Sequence, residues 1–437
     1  MAVWPWLGRI HEAPPRRLFF HAPAPTRCSA VQNAGRNTSN TSAWLADVEV
    51  RAFQAEVHES GRGTTSLLDG MKMPSTLLGA NRAYLDVMRP SKLTVGICAV
   101  MTETQAERLT AADKRLDVRW EADLYAPQRF EGDYQGDLNW HRTPEQQALY
   151  DTICNSADAL LGIPDPADPS SLRRCVETNP NLLWLHTMAA GGGGQVRAAN
   201  LSAADLDRLV ITTSAGVHAV PLSEFAIYGV LAGAKALPVM LERQRQHLWG
   251  ERFMLREIAD MNIVVVGMGG IGRLVAQRFN YLGAHVIGVN RTLRDVPDVE
   301  MHTTADLIEV VTRADAIINC LPAALGTQQL ISAEVLAAAK PSVIFVSLGR
   351  GSCVDETALI EGLRSGHISF AALDVFEHEP LPSDSPLWDL PNALISSHMI
   401  ALSVHEMDRI IDLFIANAKA LLDGTPMRNL LNKELFY

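Results

Sequence analysis

A chain of 437 residues with 47% hydrophobic and 20% charged residues has enough apolar material for two globular cores and is no disordered chain. Its 30 glycines and 23 prolines are near average, which excludes a fibrous or low-complexity protein. A net charge of −11 argues against nucleic acid or an anionic membrane as a partner, and no run of 18 predominantly apolar residues predicts a membrane-spanning helix.

Residues 1–46 differ from the rest. Arg9, Arg16, Arg17, Arg27 and Arg36 face a single acid, Glu12, while Pro5, Pro14, Pro15, Pro23 and Pro25 interrupt any regular element. Two kinds of reading stay open: an Arg-rich organelle transit peptide, or else a disordered leader or an over-long start of the reading frame. Residues 1–91 are therefore expected to be an extension, poorly ordered at least to residue 46, and 47–91 carry no assignable function. The six cysteines, at 28, 98, 154, 175, 320 and 353, form no Cys-x-x-Cys pair. That pattern fits a reducing compartment, with a cytoplasmic location expected unless the leader targets an organelle, and no metal set stands out.

Regular structure is predicted from residue 92. Leu93–Ile97 reads as a buried strand, 103–115 as a polar helix and 116–120 as a strand. The polar, turn-rich stretch 126–146 reads as a surface loop. An apolar run at 157–163, a helix at 172–177 and strands at 182–186 and Val210–Thr213 follow. Strands alternating with helices predict a parallel sheet with crossover helices.

The second half is clearer. Asn262–Val266, Asn-Ile-Val-Val-Val, is a β-branched run of the kind buried on both sheet faces. It leads into Gly267-Met268-Gly269-Gly270-Ile271-Gly272, after which Ile271, Val275, Phe279 and Leu282 recur at helical spacing until Gly283. Further strands are predicted at 285–289, 316–320, 343–346, 370–375 and 394–396, with helices at 305–313, 333–339 and 356–364. Residues 401–422 read as a long amphipathic helix whose apolar face has to pack elsewhere, on the first unit. The expected domains are 92–214 with 401–437, and 215–400.

A Gly-x-Gly-x-x-Gly between a strand and a helix points to a dinucleotide site. Gly267 permits the tight turn, Gly269 and Gly270 let the backbone approach a pyrophosphate, and Gly272 lets the helix pack on its strand. Free amides at the helix start, including that of Ile271, then face the phosphates. Where an acid would bond the ribose 2′-hydroxyl of NAD, this chain has Asn290-Arg291-Thr292. Arg291 can pair with a 2′-phosphate, so NADP is expected before NAD; the alternative is Arg291 stacked beside the adenine.

Ligands of open α/β sheets gather beyond the carboxyl ends of the strands. The polar residues predicted there are Arg350, Asp374, Glu379 and His398. An arginine, a carboxylate and a histidine suit hydride chemistry on a 2-oxo acid: Arg350 to hold the anion, His398 to move the proton, Glu379 to orient and charge the imidazole.

These residues sit in ordered segments that resemble the D-isomer-specific 2-hydroxyacid dehydrogenase family. The segments are Val-Val-Gly-Met-Gly-Gly-Ile-Gly (265–272), Cys-Leu-Pro-Ala-Ala-Leu-Gly-Thr (320–327), Val-Ser-Leu-Gly-Arg-Gly (346–351), Ala-Leu-Asp-Val-Phe-Glu-His-Glu-Pro-Leu (372–381), Ser-Pro-Leu-Trp (385–388) and Ser-Ser-His (396–398). The resemblance covers about residues 92–437. It implies a doubly wound parallel-sheet (Rossmann) dinucleotide domain with a smaller flavodoxin-like substrate domain, and a homodimer. It makes Arg350, Glu379 and His398 the catalytic set and Asp374 a nicotinamide contact. It also lays Leu321, Pro322, Thr327, Leu348 and Gly349 along the cofactor. The substrate carboxylate would meet backbone amides of a glycine loop, here Ala190, Gly191 and Gly192 at the head of the tract 190–194; the bland reading is a flexible linker. Ser347 and Ser397 depart from the family's Asn and Pro. The implied activity is NAD(P)H-dependent reduction of a 2-oxo acid to its D-2-hydroxy acid. Rival readings are a cofactor-sensing corepressor-like protein of the same fold, or a dehydrogenase of formate or phosphite. His218, His285, His367, His378 and His405 are expected to be structural or solvated.

Overall fold

The computed structural model describes residues 90–437 apart from 131, 132, 134, 135, 138, 325, 435 and 437. The leader and its targeting reading, Cys28 and the stretch to residue 89 lie outside the described residues.

The first sheet is five parallel strands in the order β2-β1-β3-β4-β5: β1 Leu93–Ile97, β2 Leu116–Arg119, β3 Ala159–Leu161, β4 Trp184–Thr187 and β5 Val210–Thr213. Between them run α1 Glu103–Ala111, α2 Pro144–Ser156, α3 Pro169–Thr178, α4 Gly193–Ala198 and α5 Ala203–Arg208. The chain steps from β1 outward to β2 and back across to β3, so the strand order reverses between β1 and β3. The predicted helix 103–115 ends at Ala111, and Asp113 with Arg115 turns the chain into β2 through a side-chain bond of 2.7 Å. The supposed surface loop 126–146 ends in α2, which Thr143 and Gln146 start as a capping box.

Next come α6 Ala219–Ala234 and α7 Leu237–Arg245, neither of them predicted. The second sheet has seven parallel strands, in the order β12-β11-β10-β9-β6-β7-β8: β6 Asn262–Val266, β7 His285–Asn290, β8 Glu300–Thr303, β9 Ala316–Asn319, β10 Val343–Ser347, β11 Ile368–Leu373 and β12 Ala393–Ile395. Its helices are α8 Gly270–Tyr281, α9 Leu307–Val311, α10 Ala333–Ala338 and α11 Glu356–Ser365. Alternate residues of β6 enter different cores: Val264 and Val266 pack with α9, α10 and α11, while Ile263 and Val265 pack with α6 and α8. Both faces are covered, which is why this strand reads as one apolar run.

The last helix, α12, runs Glu406–Asp423, five residues shorter at its start than predicted. Its apolar face (Met407, Ile410, Ile411, Phe414, Ala418) joins the core of the first sheet, and Phe414 stacks on Trp184 at 4.3 Å. Outside that core, Arg108 pairs with Asp408 and Asp412, and Arg115 with Asp423. Leu431 then donates its amide to Ile211 at 2.8 Å, so the C-terminal segment runs beside β5.

Candidate active site

One ladder of backbone bonds aligns the carboxyl ends of the second sheet. Gly267 donates to Val289, Cys320 to Val266, Leu348 to Asn319, Asp374 to Ser347 and Ser396 to Leu373, all between 2.8 and 3.1 Å. The residues read from the sequence follow those ends: the glycine turn after β6, Asn290-Arg291-Thr292 at β7, Leu321 after β9, Leu348–Arg350 after β10, Asp374 after β11 and His398 after β12. Asp374 lies just past β11 instead of inside it.

The glycine turn has the shape its sequence implies. Gly267 has φ +100°, and a Cβ there would lie 2.9 Å from the Cys320 backbone. A Cβ on Gly272 would lie 2.0 Å from the Gly267 carbonyl oxygen. On Gly269 a Cβ would meet nothing within 4 Å, and no side chain caps the twelve-residue helix α8 that this residue precedes. Uncapped amides above an open glycine backbone fit a dinucleotide pyrophosphate. Gly270 lies under the strap from β5 to α6, 3.5 Å from Gly216 Cα when given a Cβ. Asn290 Nδ2 bonds Thr292 O at 3.1 Å, turning the chain after β7, and Arg291 is exposed beside the turn.

At the other strand ends the geometry is tighter. His398 Nδ1 is 2.7 Å from Glu379 Oε2, and Glu379 Oε1 accepts the Phe376 amide at 3.0 Å. The carboxylate is held at both oxygens and fixes the ring in turn. Nε2 has no hydrogen-bond partner among the described residues. His398 itself sits at φ +53°, a conformation that side chains with a Cβ resist. Asp374 holds it there: the buried Oδ1 accepts from Ser396 Oγ (2.8 Å), Met399 N (3.0 Å) and Ile400 N (3.3 Å). The turn around His398 is thus braced by a carboxylate, with Ser397 in the place of the family's proline.

Arg350 Nη1 donates to its neighbour's carbonyl, Gly349 O, at 2.8 Å. Its Nη2 reaches the glycine tract: a Cβ on Gly191 would lie 3.2 Å away. Arg350 and the head of the tract therefore face each other from the two sheets. The tract is no run of free amides, however. Gly192 abuts the Thr187 side chain, and Gly193 opens α4 against the Phe436 backbone and Leu431, so only 190–192 form the loop. Thr327 donates its hydroxyl within its own loop, towards Pro322 O (2.8 Å), and the Leu348 side chain is buried in the core. Leu321 and Gly349 lie in backbone contact: a Cβ on Gly349 would be 2.3 Å from Leu321 O.

Sequence reasoning missed three positioning groups. Buried Asn319 accepts from Leu321 N and donates to Ser347 Oγ at 3.1 Å, tying two loops; an Asn ending an apolar strand was the available signal. Gly351 lets the Arg350 loop lie on the loop of Glu379, since a Cβ would be 1.9 Å from the Phe376 carbonyl. His186, fully buried at the end of β4, bonds Thr212 Oγ1 (2.7 Å) and Ser214 Oγ (3.1 Å), and burial pushes its pKa down to about 3. His218, read as structural, bonds the buried Glu406 at 2.7 Å where the chain enters α6 and α12.

Comparison with known proteins places this geometry. Residues 227–400 match the family model described as "D-isomer specific 2-hydroxyacid dehydrogenase, NAD binding domain". Glyoxylate/hydroxypyruvate reductase B of Citrobacter koseri is 30% identical over 299 residues, 67% of this chain and 90% of that protein. The chain belongs to the D-isomer specific 2-hydroxyacid dehydrogenase family. Among other members of the family, D-3-phosphoglycerate dehydrogenase of Mycobacterium tuberculosis is 31% identical over 258 residues, 58% of this chain. The chain spans about half, 48%, of that relative's length. A solved family structure from Xanthobacter autotrophicus, in complex with NADPH and MES, superposes with a TM-score of 0.61 at 26% identity, covering 79% of this chain and all of that one.

Proposed function

We propose that this 2-hydroxyacid dehydrogenase family member is an NAD(P)-dependent oxidoreductase that reduces a small 2-oxo acid to its D-2-hydroxy acid, and catalyses the reverse. The observation that carries the reading is the 2.7 Å His398–Glu379 pair, held at the carboxyl edge of the sheet that ends β6 in the glycine turn.

Gly267, Gly269, Gly270, Ile271 and Gly272 would hold the pyrophosphate, Arg291 with Asn290 and Thr292 the adenosine ribose, and Leu321, Pro322, Gly349 and Asp374 the nicotinamide half. The dinucleotide, when bound, supplies the hydride. Arg350 and the amides of Ala190 and Gly191 bind the substrate carboxylate from two sides, the guanidinium also polarising the ketone, while the Gly192 amide is spent inside the turn on Ala189 O. His398 delivers a proton from Nε2 to the carbonyl oxygen, and Glu379 compensates the imidazolium before transfer and keeps the ring aimed. In oxidation the same nitrogen takes the proton back. Asn290-Arg291-Thr292 offers a cation and no carboxylate, which supports NADP(H) as the preferred form; the Xanthobacter relative's complex with NADPH agrees.

A cytoplasmic homodimer is the assembly we infer. The support for a dimer is an exposed apolar stretch after α7, where Leu248, Trp249, Phe253 and Met254 face solvent.

The test is His398→Ala assayed by NADPH oxidation with a panel of 2-oxo acids. Turnover should fall by at least 10²-fold while NADPH binding, followed by fluorescence, stays near that of the parent. Undiminished turnover would overturn the assignment.

A further inference from the structure

The first sheet has its own point of reversed strand order, between β1 and β3, and ligands of open parallel sheets lie in the crevice beyond such a point. A small cavity of about 40 Å³ occupies that place. Cys98 and Ala99 line it after β1, Ile163 and Pro166 after β3, and Met188 and Ala189 after β4, with Gln195 from α4. Ala189 also begins the turn that reaches Gly191, because Gly192 donates to Ala189 O at 3.1 Å. The cavity thus adjoins the loop facing Arg350. A 2-oxo acid whose carboxylate sat on that loop, with its substituent turned towards the first sheet, would place that substituent beside this cavity.

We propose that this cavity selects the substrate, admitting 2-oxo acids with a short, uncharged substituent (hydroxymethyl above all) and rejecting phosphorylated and aromatic ones. The inference rests on the 2-oxo acid reductase reading above.

Size gives the first argument. A water-sized group needs about 10–15 Å³ measured this way, so about 40 Å³ holds roughly three heavy atoms. Methyl, hydroxymethyl and ethyl fit; phenylmethyl, with seven, and phosphonooxymethyl, with six, do not. Charge gives the second. No Lys, Arg or His is among the lining residues, so a phosphate dianion would enter without a counter-charge. The nearby Arg142 is already engaged by Asp165 at 2.7 Å and Leu124 O at 2.8 Å. Chemistry gives the third: Gln195 brings the one side-chain amide among the lining residues, and it can bond a substituent hydroxyl.

The experiment measures kcat/KM of the full chain with NADPH for pyruvate, hydroxypyruvate, 2-oxobutyrate, phenylpyruvate and 3-phosphohydroxypyruvate. Hydroxypyruvate should exceed the phosphorylated and phenyl acids at least 100-fold. Gln195→Leu, a substitution at an exposed position, should lower the hydroxypyruvate-to-pyruvate ratio about tenfold. Met188→Ala should raise the phenylpyruvate-to-pyruvate ratio at least tenfold. Activity on 3-phosphohydroxypyruvate or phenylpyruvate equal to that on hydroxypyruvate overturns the cavity's role, as do ratios unmoved by both variants, while the reductase reading stands. Oxidation of NADPH with none of the five acids overturns both.

Discussion

Gly351→Ala tests whether the proposed catalytic groups depend on two loops lying in backbone contact. The new Cβ would be 1.9 Å from the Phe376 carbonyl carbon and oxygen, whereas ordinary contact begins at 3.4 Å, so about 1.5 Å of separation has to be made. No flexible side chain stands there to absorb it; the atoms in the way are main chain. Phe376 donates its amide to Glu379, and Glu379 holds His398, so the displacement passes to the imidazole on one side and to Arg350 on the other. A misplacement of about 1 Å costs on the order of 10²-fold in rate. We expect kcat/KM for a 2-oxo acid to drop by about that factor, with NADPH binding changed far less because the glycine turn after β6 is not in this contact. The assays are steady-state NADPH oxidation and a fluorescence titration of NADPH, with circular dichroism to confirm folding. A folded Gly351→Ala protein with activity within threefold of the parent would refute the reasoning.

Two further predictions concern the cofactor and the buried histidine. Arg291→Asp should lower the preference for NADPH over NADH, read as the ratio of kcat/KM values, by roughly 10–100-fold, the worth of about 1.5–3 kcal/mol for charged hydrogen bonds; an unchanged ratio would contradict the NADP assignment. His186 stays neutral in the fold down to about pH 3, whereas in the unfolded chain it gains a proton below about pH 6.5. The unfolded state binds more protons in that window, so stability falls with decreasing pH by about 1.4 kcal/mol per unit, roughly 2 kcal/mol between pH 7 and pH 5. His186→Gln keeps a hydrogen-bonding side chain and removes this slope, which urea midpoints at the two pH values would show; equal slopes in both proteins would count against it.

What could be read from the residues follows a physical division. β6 and the glycine turn were legible because a strand buried on both faces and a steric need for glycine both write themselves locally. The placement of Arg350, Glu379 and His398 at the carboxyl edge of the sheet was legible for a related reason: each follows an apolar strand closely in sequence. β8, Glu-Met-His-Thr, was not, since this half-buried edge strand carries no apolar period. Nor was α6, which is apolar on nearly every side and so has no periodic face to detect. The tract 190–194 misled by composition, because glycine at 193 answers a contact with the chain's own C-terminal segment. Gly351 and Asn319 act through neighbours distant in sequence, and no local pattern announces that.

The backbone of residue 398 bears on how this protein would respond to selection. An imidazole there is kept in a left-handed turn at a cost of about 1 kcal/mol or more. Glycine or asparagine would relax that turn and lose the proposed proton donor with it. A library ranked on heat resistance alone would therefore enrich inert chains at this codon, and stabilising the molecule without silencing it means searching elsewhere in the sequence.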